Sequence, residues 1–163
     1  ALVDAKERFN PPNCAPETRD AILQDIKRWS NSGRWSPSFF WLTGSPGSGK
    51  SAICQALAEL CKQDGTLLAN FFFSRVAGSA GRSNGDRLLP TLIYQTMQNL
   101  PEVRQSIEYA IRSNRSILTS TRAALIQTLF CAPLSQFSVR RFFREWFGTP
   151  IRLVIIDGLD ECQ

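Results

Sequence analysis

The chain has 163 residues, of which 43% are hydrophobic and 20% are charged, and this composition is typical of a globular domain with a sizeable core. It contains no histidine, which excludes Ser-His-Asp and Cys-His catalysis and argues against a zinc site. The net charge of +5 suits an anionic ligand, although charge alone would also suit nucleic acid.

The first half of the chain predicts a strand-helix-strand unit behind an N-terminal helix. Residues 1–17 contain three prolines and indicate an extended arm, and apolar residues at helical spacing predict an amphipathic helix over 18–30. The runs "SFFWLT" (38–43) and "LLANFFF" (67–73) are typical of buried parallel strands. Between these two runs, apolar residues recur at helical spacing as far as about residue 63. Strand, helix and strand in this order form a βαβ unit.

The second half predicts further helices and one more strand. Apolar residues recur at helical spacing over 85–99, 101–113 and 121–131, and "LVII" (153–156) has the composition of a third buried strand. Together these elements predict an α/β fold with a mainly parallel sheet flanked by helices.

The sequence also favours a cytoplasmic chain without a membrane span. Its apolar runs are far shorter than the roughly 20 residues that cross a bilayer. The N-terminus lacks the basic start and apolar core of a secretory signal. The five cysteines are odd in number and form no CxxC pair, which favours reduced thiols.

A glycine-rich stretch, "WLTGSPGSGKSAICQAL", stands between the first predicted strand and the helix that follows it. The phosphate-loop motif G-x-x-x-x-G-K-[ST] is matched at every required position, by Gly44, Gly49, Lys50 and Ser51. Glycines let backbone N–H groups point at phosphate oxygens, and the helix N-terminus adds its positive dipole end. The predicted cradle comprises Gly44, Ser45, Pro46, Gly47, Ser48, Gly49, Lys50 and Ser51.

A second motif, "LVIIDGLDE", places acidic residues where the last predicted strand ends. Ligands of parallel sheets sit at the carboxyl ends of strands, so Asp157 is expected to face the same crevice as the phosphate loop. A carboxylate there can hold Mg²⁺, and Asp160 and Glu161 can orient or deprotonate an attacking water.

With both motifs placed, the chain resembles the NACHT domain of the STAND class of P-loop NTPases, especially the forms in large fungal signalling proteins. The resembling stretches are "WLTGSPGSGKSAI", "FFFSR", "RLLPTLIYQ" and "RLVIIDGLDEC". The resemblance implies a three-layer P-loop core over 36–163, preceded by a linker and amphipathic helix over 1–35. It also implies ATP or GTP as ligand and Mg²⁺ as cofactor.

Residue by residue, the resemblance implies that Lys50 and Ser51 contact phosphate and Mg²⁺ and that Asp157 binds Mg²⁺. It implies a catalytic role for Lys50 and water activation by Asp160 or Glu161. It predicts an NTPase that switches a larger signalling protein and self-associates through the intact domain. The alternative is a degenerate interaction module that binds nucleotide weakly or not at all and does not hydrolyse it.

Two positions refine this expectation. Gly158 stands where many related ATPases carry their catalytic glutamate, which implies slow turnover used as a switch. Arg75, at the end of the second strand, is either a phosphate or sensor residue or the partner of a structural ion pair.

The resemblance also implies a strand beyond the acidic motif. In this class that strand lies between the strand of the acidic motif, here 153–156, and the strand before the phosphate loop, here 38–43. The sequence ends at Gln163, before this strand. We therefore expect an incomplete domain, truncated at its C-terminal side.

Aromatic residues leave further alternatives open. The stretch "VRRFFREWFG" (139–148) is a partner, membrane-surface or nucleic-acid patch, or an ordinary element whose aromatics fill the core. No helicase-type motif supports nucleic acid as a partner. Four tryptophans either stack on a base or pack in the core: Trp29, Trp35, Trp41 and Trp146.

Overall fold

The computed structural model describes residues 20–31, 39–75, 83–136 and 152–162. They belong to two compact units. The first unit contains the described residues up to Asn84 together with 152–162, and the second contains 85–136. The predicted domain boundary near residue 35 lies outside the described residues, as does the aromatic and basic patch at 139–148.

The first unit begins with helix α1, Asp20–Asn31, which confirms the amphipathic helix predicted there. Asp20 lies in its first turn and Arg28 in its last turn, so both charges interact favourably with the helix dipole. Ile26 is fully buried, and Trp29 packs against the same core. One apolar face therefore fixes this helix on the unit.

The centre of the first unit is a strand-helix pair with a second parallel strand. Helix α2 runs over Lys50–Gln63, strand β1 over Leu67–Phe72 and strand β2 over Leu153–Asp157. The two strands pair in parallel, with Leu67 opposite Leu153 and Phe72 opposite Asp157. All six residues of β1 are buried, as the continuous apolar run predicted.

The core of this unit lies between α2 and the sheet. Its buried cluster takes one residue of α1, one face of α2 and apolar residues of both strands, namely Ile26, Ile53, Leu57, Ala58, Cys61, Leu67, Phe72, Leu153 and Ile155. Burial raises the pKa of the Cys61 thiol, which therefore stays protonated and packs as a small apolar side chain.

The strand predicted over 38–43 is the main difference from the sequence-based expectation. Residues 39–43 form no strand, and the exposed fractions of Phe39 and Trp41 are 86% and 75%. Aromatic and branched residues favour a strand only where a neighbouring strand accepts the backbone hydrogen bonds. Among the described residues, only β1 and β2 pair with each other.

The second unit is helical. Its helices α3, α4 and α5 run over Leu88–Asn99, Pro101–Ser113 and Arg122–Ile126. Short 3₁₀ segments cover Gly85–Arg87 and Arg115–Thr119. Pro101 lies at the start of α4, where its missing N–H leaves no bond unmade.

The third helix of this unit differs in detail from its prediction. A single helix was expected over 121–131, but α5 passes into a π-helix over Gln127–Cys131. The start agrees with the pattern, because the Thr121 hydroxyl accepts a hydrogen bond from the Ala124 N–H as a helix cap. Leu129 is buried on the π segment, so the inward face continues through the irregularity.

These elements make a mixed α/β structure whose described part contains a small parallel sheet of two strands. No helix within that part has the length and apolar character needed to cross a membrane.

An ion pair between α1 and the turn after α2 gives a pH-dependent prediction. Lys27 Nζ lies 2.6 Å from Asp64 Oδ2. Burial alone would raise the pKa of Asp64, but hydrogen bonds from Lys27 and Thr66 outweigh it and hold the pKa below its ordinary value of 3.8. The hydrogen bond to Asp64 raises the pKa of Lys27 above 10.5.

The stabilisation from this pair is therefore present between the two pKa values. It is lost as pH falls through the depressed pKa of Asp64 or rises through the raised pKa of Lys27. The side chains are 38% and 39% exposed, so solvent screening keeps the effect below about 1 kcal/mol.

We expect Asp64→Asn to lower the free energy of unfolding at pH 7 but not at pH 2. Denaturant titrations would contradict this if the difference persisted at pH 2.

Candidate functional site

The loop from Gly44 to Gly49 is a tight turn that only glycines allow at two positions. The Ser48 N–H donates to the Ser45 carbonyl at 3.2 Å and closes the turn. Gly47 and Gly49 have φ values of +75° and +81°, in the left-handed region that other residues seldom adopt. The glycines at positions 47 and 49 therefore meet a backbone requirement of this turn.

Helix α2 begins directly after this turn, with a glycine at its N-cap position. Gly49 occupies the N-cap position and makes no side-chain cap hydrogen bond. The N–H groups of the first helical turn have no intrahelical acceptor, and they carry the positive end of the helix dipole. This end of α2 is therefore chemically suited to an anion.

Lys50, the first residue of α2, reaches back over the loop. Its Nζ donates to the carbonyl oxygens of Gly44 at 2.8 Å and Ser45 at 3.0 Å. The ammonium group and the first turn of α2 therefore place positive charge at the same point of the unit.

The acidic motif forms a second tight turn at the end of β2. The carbonyl of Asp157 accepts a hydrogen bond from the Phe73 N–H at 2.9 Å, which holds the ends of the two strands together. Gly158 follows with φ of +70°. A Cβ at this position would lie 3.1 Å from the Phe73 carbonyl oxygen, so both the backbone angle and the space favour glycine. Leu159–Glu161 then form a single 3₁₀ turn.

Both turns line one cleft of the first unit, with a volume of about 790 Å³. This volume is within the usual range of small-molecule sites. Nine of the predicted site residues line the cleft, namely Gly44, Pro46, Gly47, Gly49, Lys50, Ser51, Asp157, Asp160 and Glu161. Ser45 and Ser48 shape the loop but do not line the cleft.

The chain matches the family model described as "Nephrocystin 3, N-terminal" over residues 17–163. The chain belongs to the nephrocystin 3 N-terminal family. No curated protein and no solved structure matched it. The matched segment includes both turns of the cleft in this nephrocystin 3 N-terminal domain.

Four aromatic side chains, together called the aromatic wall, line the same cleft in this nephrocystin 3 N-terminal domain. Trp29 and Phe40 contact each other with ring centroids 5.4 Å apart, and both line the cleft with Phe39 and Trp41. Two of the four candidate tryptophans are therefore beside the motif residues, whereas Trp35 and Trp146 lie outside the described residues.

The residues present fit Mg²⁺ better than a metal with many protein ligands. Ser51 and Asp157 both line the cleft. In the part of the chain that the structure describes, no group of three or more His, Cys, Asp or Glu residues is close enough to hold a metal. Mg²⁺ commonly takes one or two protein oxygens and completes its coordination with phosphate oxygens and water. The donor set is therefore compatible with Mg²⁺ held together with a phosphate ligand.

Sequence reasoning named Arg75 but did not determine its contacts. The Arg75 N–H donates to Glu161 Oε2 at 2.8 Å, and its Nε donates to the Glu161 carbonyl at 3.2 Å. Its Nη2 donates to the Asp160 carbonyl. These contacts join Arg75 to the acidic turn. Its guanidinium bonds main-chain oxygens there and forms no ion pair within the part of the chain that the structure describes.

Proposed function

We propose that this chain binds a nucleoside triphosphate with Mg²⁺ and hydrolyses it slowly, as a nucleotide-controlled oligomerisation switch in a larger signalling protein. The observation that carries the proposal is the common cleft. The phosphate-loop turn and the acidic turn are about 110 residues apart in sequence, yet both line it. A glycine-rich turn alone has many uses, whereas a cationic loop facing carboxylates suits a phosphate-metal ligand.

The loop supplies the groups that would bind the phosphates. The first-turn N–H groups of α2 can donate to phosphate oxygens, and the positive φ values of Gly47 and Gly49 let the backbone approach closely. Lys50 can exchange its two carbonyl acceptors for the β- and γ-phosphates, because charge-assisted hydrogen bonds to phosphate are the stronger ones.

The acidic side of the cleft would hold the metal and the water. Ser51 and Asp157 would ligate Mg²⁺, and Asp160 or Glu161 would orient or deprotonate the attacking water. When bound, Mg²⁺ supplies charge that neutralises the β- and γ-phosphate oxygens. The aromatic wall offers ring faces for stacking on either base, so we propose ATP or GTP.

The switch function rests on the resemblance to NACHT domains of STAND-class NTPases. We propose that the α/β unit is part of a three-layer P-loop core and that self-association accompanies nucleotide binding. Gly158 supports slow turnover, since a glutamate at its left-handed backbone would be strained. Light scattering with and without nucleotide tests the self-association.

Asp157→Asn tests the metal part of the proposal. We expect the variant to bind ATP or GTP about tenfold more weakly than wild type in Mg²⁺, because one charged oxygen ligand is lost. In EDTA the two affinities should agree. Calorimetric titration of the intact protein with each nucleotide measures both.

Asp64→Asn is a matched control, because it removes the same charge from a turn that does not line the cleft. It should bind like wild type in both buffers. A folded wild type that binds neither nucleotide would instead favour the degenerate interaction module.

A further inference from the structure

The end of β1 and the acidic turn are joined by a reciprocal set of hydrogen bonds. Arg75 donates from its side chain to the carbonyls of Asp160 and Glu161, while the Glu161 carboxylate accepts the Arg75 backbone N–H. These residues are about 86 positions apart in sequence. The contacts therefore fix a loop-to-loop geometry that no local pattern encodes.

The two carboxylates of the acidic turn consequently differ. Glu161 is half-buried and its Oε2 is engaged by a main-chain donor 2.8 Å away. Both residues line the cleft, but Asp160 is exposed, and its carboxylate has no hydrogen-bond partner among the residues that the structure describes. A group that takes a proton from water needs a carboxylate free to face that water.

We propose that Arg75 and Glu161 are a positioning pair that holds the acidic turn, and that Asp160 alone activates the water. This inference rests on the proposed function and divides roles between residues that the motif leaves equivalent. In hydrolysis the water oxygen bonds to the γ-phosphorus and its proton passes to Asp160. The bond from the γ-phosphorus to the bridging oxygen breaks, which releases nucleoside diphosphate and phosphate.

The contacts of the pair with the acidic turn involve its backbone. The guanidinium contacts carbonyl oxygens on the turn, so its removal frees the main chain that carries Asp160 without removing any carboxylate. A small displacement of a reacting group costs much of its catalytic effect, while phosphate binding at the opposite turn is unaffected. The expected signature of a positioning role is thus a lower kcat at nearly constant KM.

Matched carboxamide variants separate the two carboxylates. In Glu161→Gln the amide oxygen can still accept the Arg75 N–H, so kcat should stay within about threefold of wild type. In Asp160→Asn kcat should fall about 100-fold or more, the usual contribution of a general base. Glu161→Ala and Arg75→Ala should each lower kcat about tenfold with KM within about threefold. If Glu161→Gln were as inactive as Asp160→Asn, Glu161 would be the base and the proposal would be wrong.

Arg152 provides the control for Arg75. Its Nη1 donates to the Gly65 carbonyl at 3.4 Å, at the opposite end of β2 from the acidic turn. Arg152→Ala removes the same charge and a comparable contact, and it should leave kcat and KM unchanged. An equal loss in both arginine variants would assign the effect to general destabilisation and overturn the pairing.

Amide hydrogen exchange tests the pair without nucleotide. The Arg75 N–H donates to the Glu161 carboxylate, and the Glu161 N–H donates to the Gly158 carbonyl at 2.8 Å. Both amides should exchange at least about tenfold faster in Glu161→Ala but not in Glu161→Gln. The Phe73 amide, bonded to the Asp157 carbonyl, should be unchanged.

The experiments distinguish failure of the proposed function from failure of the positioning pair. A wild type that neither binds nor hydrolyses nucleotide contradicts the proposed function and the role of Asp160, whatever the exchange rates. Unchanged exchange in Glu161→Ala contradicts the positioning pair, even if the protein is an active NTPase.

Discussion

Lys50→Ala is expected to weaken nucleoside triphosphate binding about 100-fold and to abolish measurable turnover. The reason is that a lysine ammonium bonded to phosphate oxygens makes charge-assisted hydrogen bonds of about 1.5–3 kcal/mol each, and tenfold in affinity corresponds to about 1.4 kcal/mol. Among the described residues, the acceptors of Lys50 Nζ are two main-chain carbonyls of the loop, so its loss should cost little stability. Titration calorimetry and a phosphate-release assay measure the two effects.

Lys62→Ala is the matched control, since Lys62 lies in the last turn of the same helix and does not line the cleft. It removes the same charge from the opposite end of α2. Nucleotide affinity within about twofold of wild type is expected for it. Equal losses in both lysine variants would mean that net charge, and not the loop, determines binding.

Phe72→Ala is expected to lower the free energy of unfolding by about 3–5 kcal/mol. Phe72 is 2% exposed, belongs to the cluster between α2 and the sheet, and pairs with Asp157 in the strand register. Its removal leaves a cavity beside the strand end that carries the acidic turn. Urea unfolding of the wild type and the variant measures the loss. Phe72→Leu leaves a smaller cavity, so its free energy of unfolding should be lower than that of the wild type but higher than that of Phe72→Ala. It replaces the alanine variant if that protein is too unstable to fold.

Phe39→Ala makes the comparison decisive, because it is the same change at a residue that is 86% exposed. A cost within about 0.5 kcal/mol is expected, as for most surface substitutions. If residues 38–43 formed the buried strand that their composition predicts, Phe39→Ala would destabilise the protein as strongly as Phe72→Ala. That outcome would restore the sequence-based expectation.

The failure at 38–43 shows what composition can decide. The run "SFFWLT" is as apolar as "LLANFFF", and both follow the same rule for a buried strand. Strand β1 satisfies the rule because β2 runs beside it, while residues 39–43 have no pairing partner among the described residues. A strand forms only where a second strand lies beside it, and the composition of one run does not show whether that partner is present.

Helices were predicted more successfully because their signals are local. The spacing of apolar residues located α1, α2, α3 and α4 with bounds close to those observed, and Pro101 marked the start of one of them. The π-helix at Gln127–Cys131 escaped prediction, since its extra residue per turn leaves no distinct mark in the spacing.

The sequence by itself determined helices α1 to α4 and the residues of the two motifs, because each depends on neighbours within a few positions. Apolar runs located both observed strands but also predicted a strand that residues 39–43 do not form. Glycine at positions 47, 49 and 158 permits the left-handed backbone that the structure has there. The rule for parallel strands led us to expect a crevice shared by the two turns, and the structure identified the residues that line the cleft. Only the tertiary structure decided that Phe39 and Trp41 are exposed and that Arg75 contacts the acidic turn. Those features depend on contacts between segments tens of residues apart, whose geometry is set by packing of the whole unit and by no local pattern.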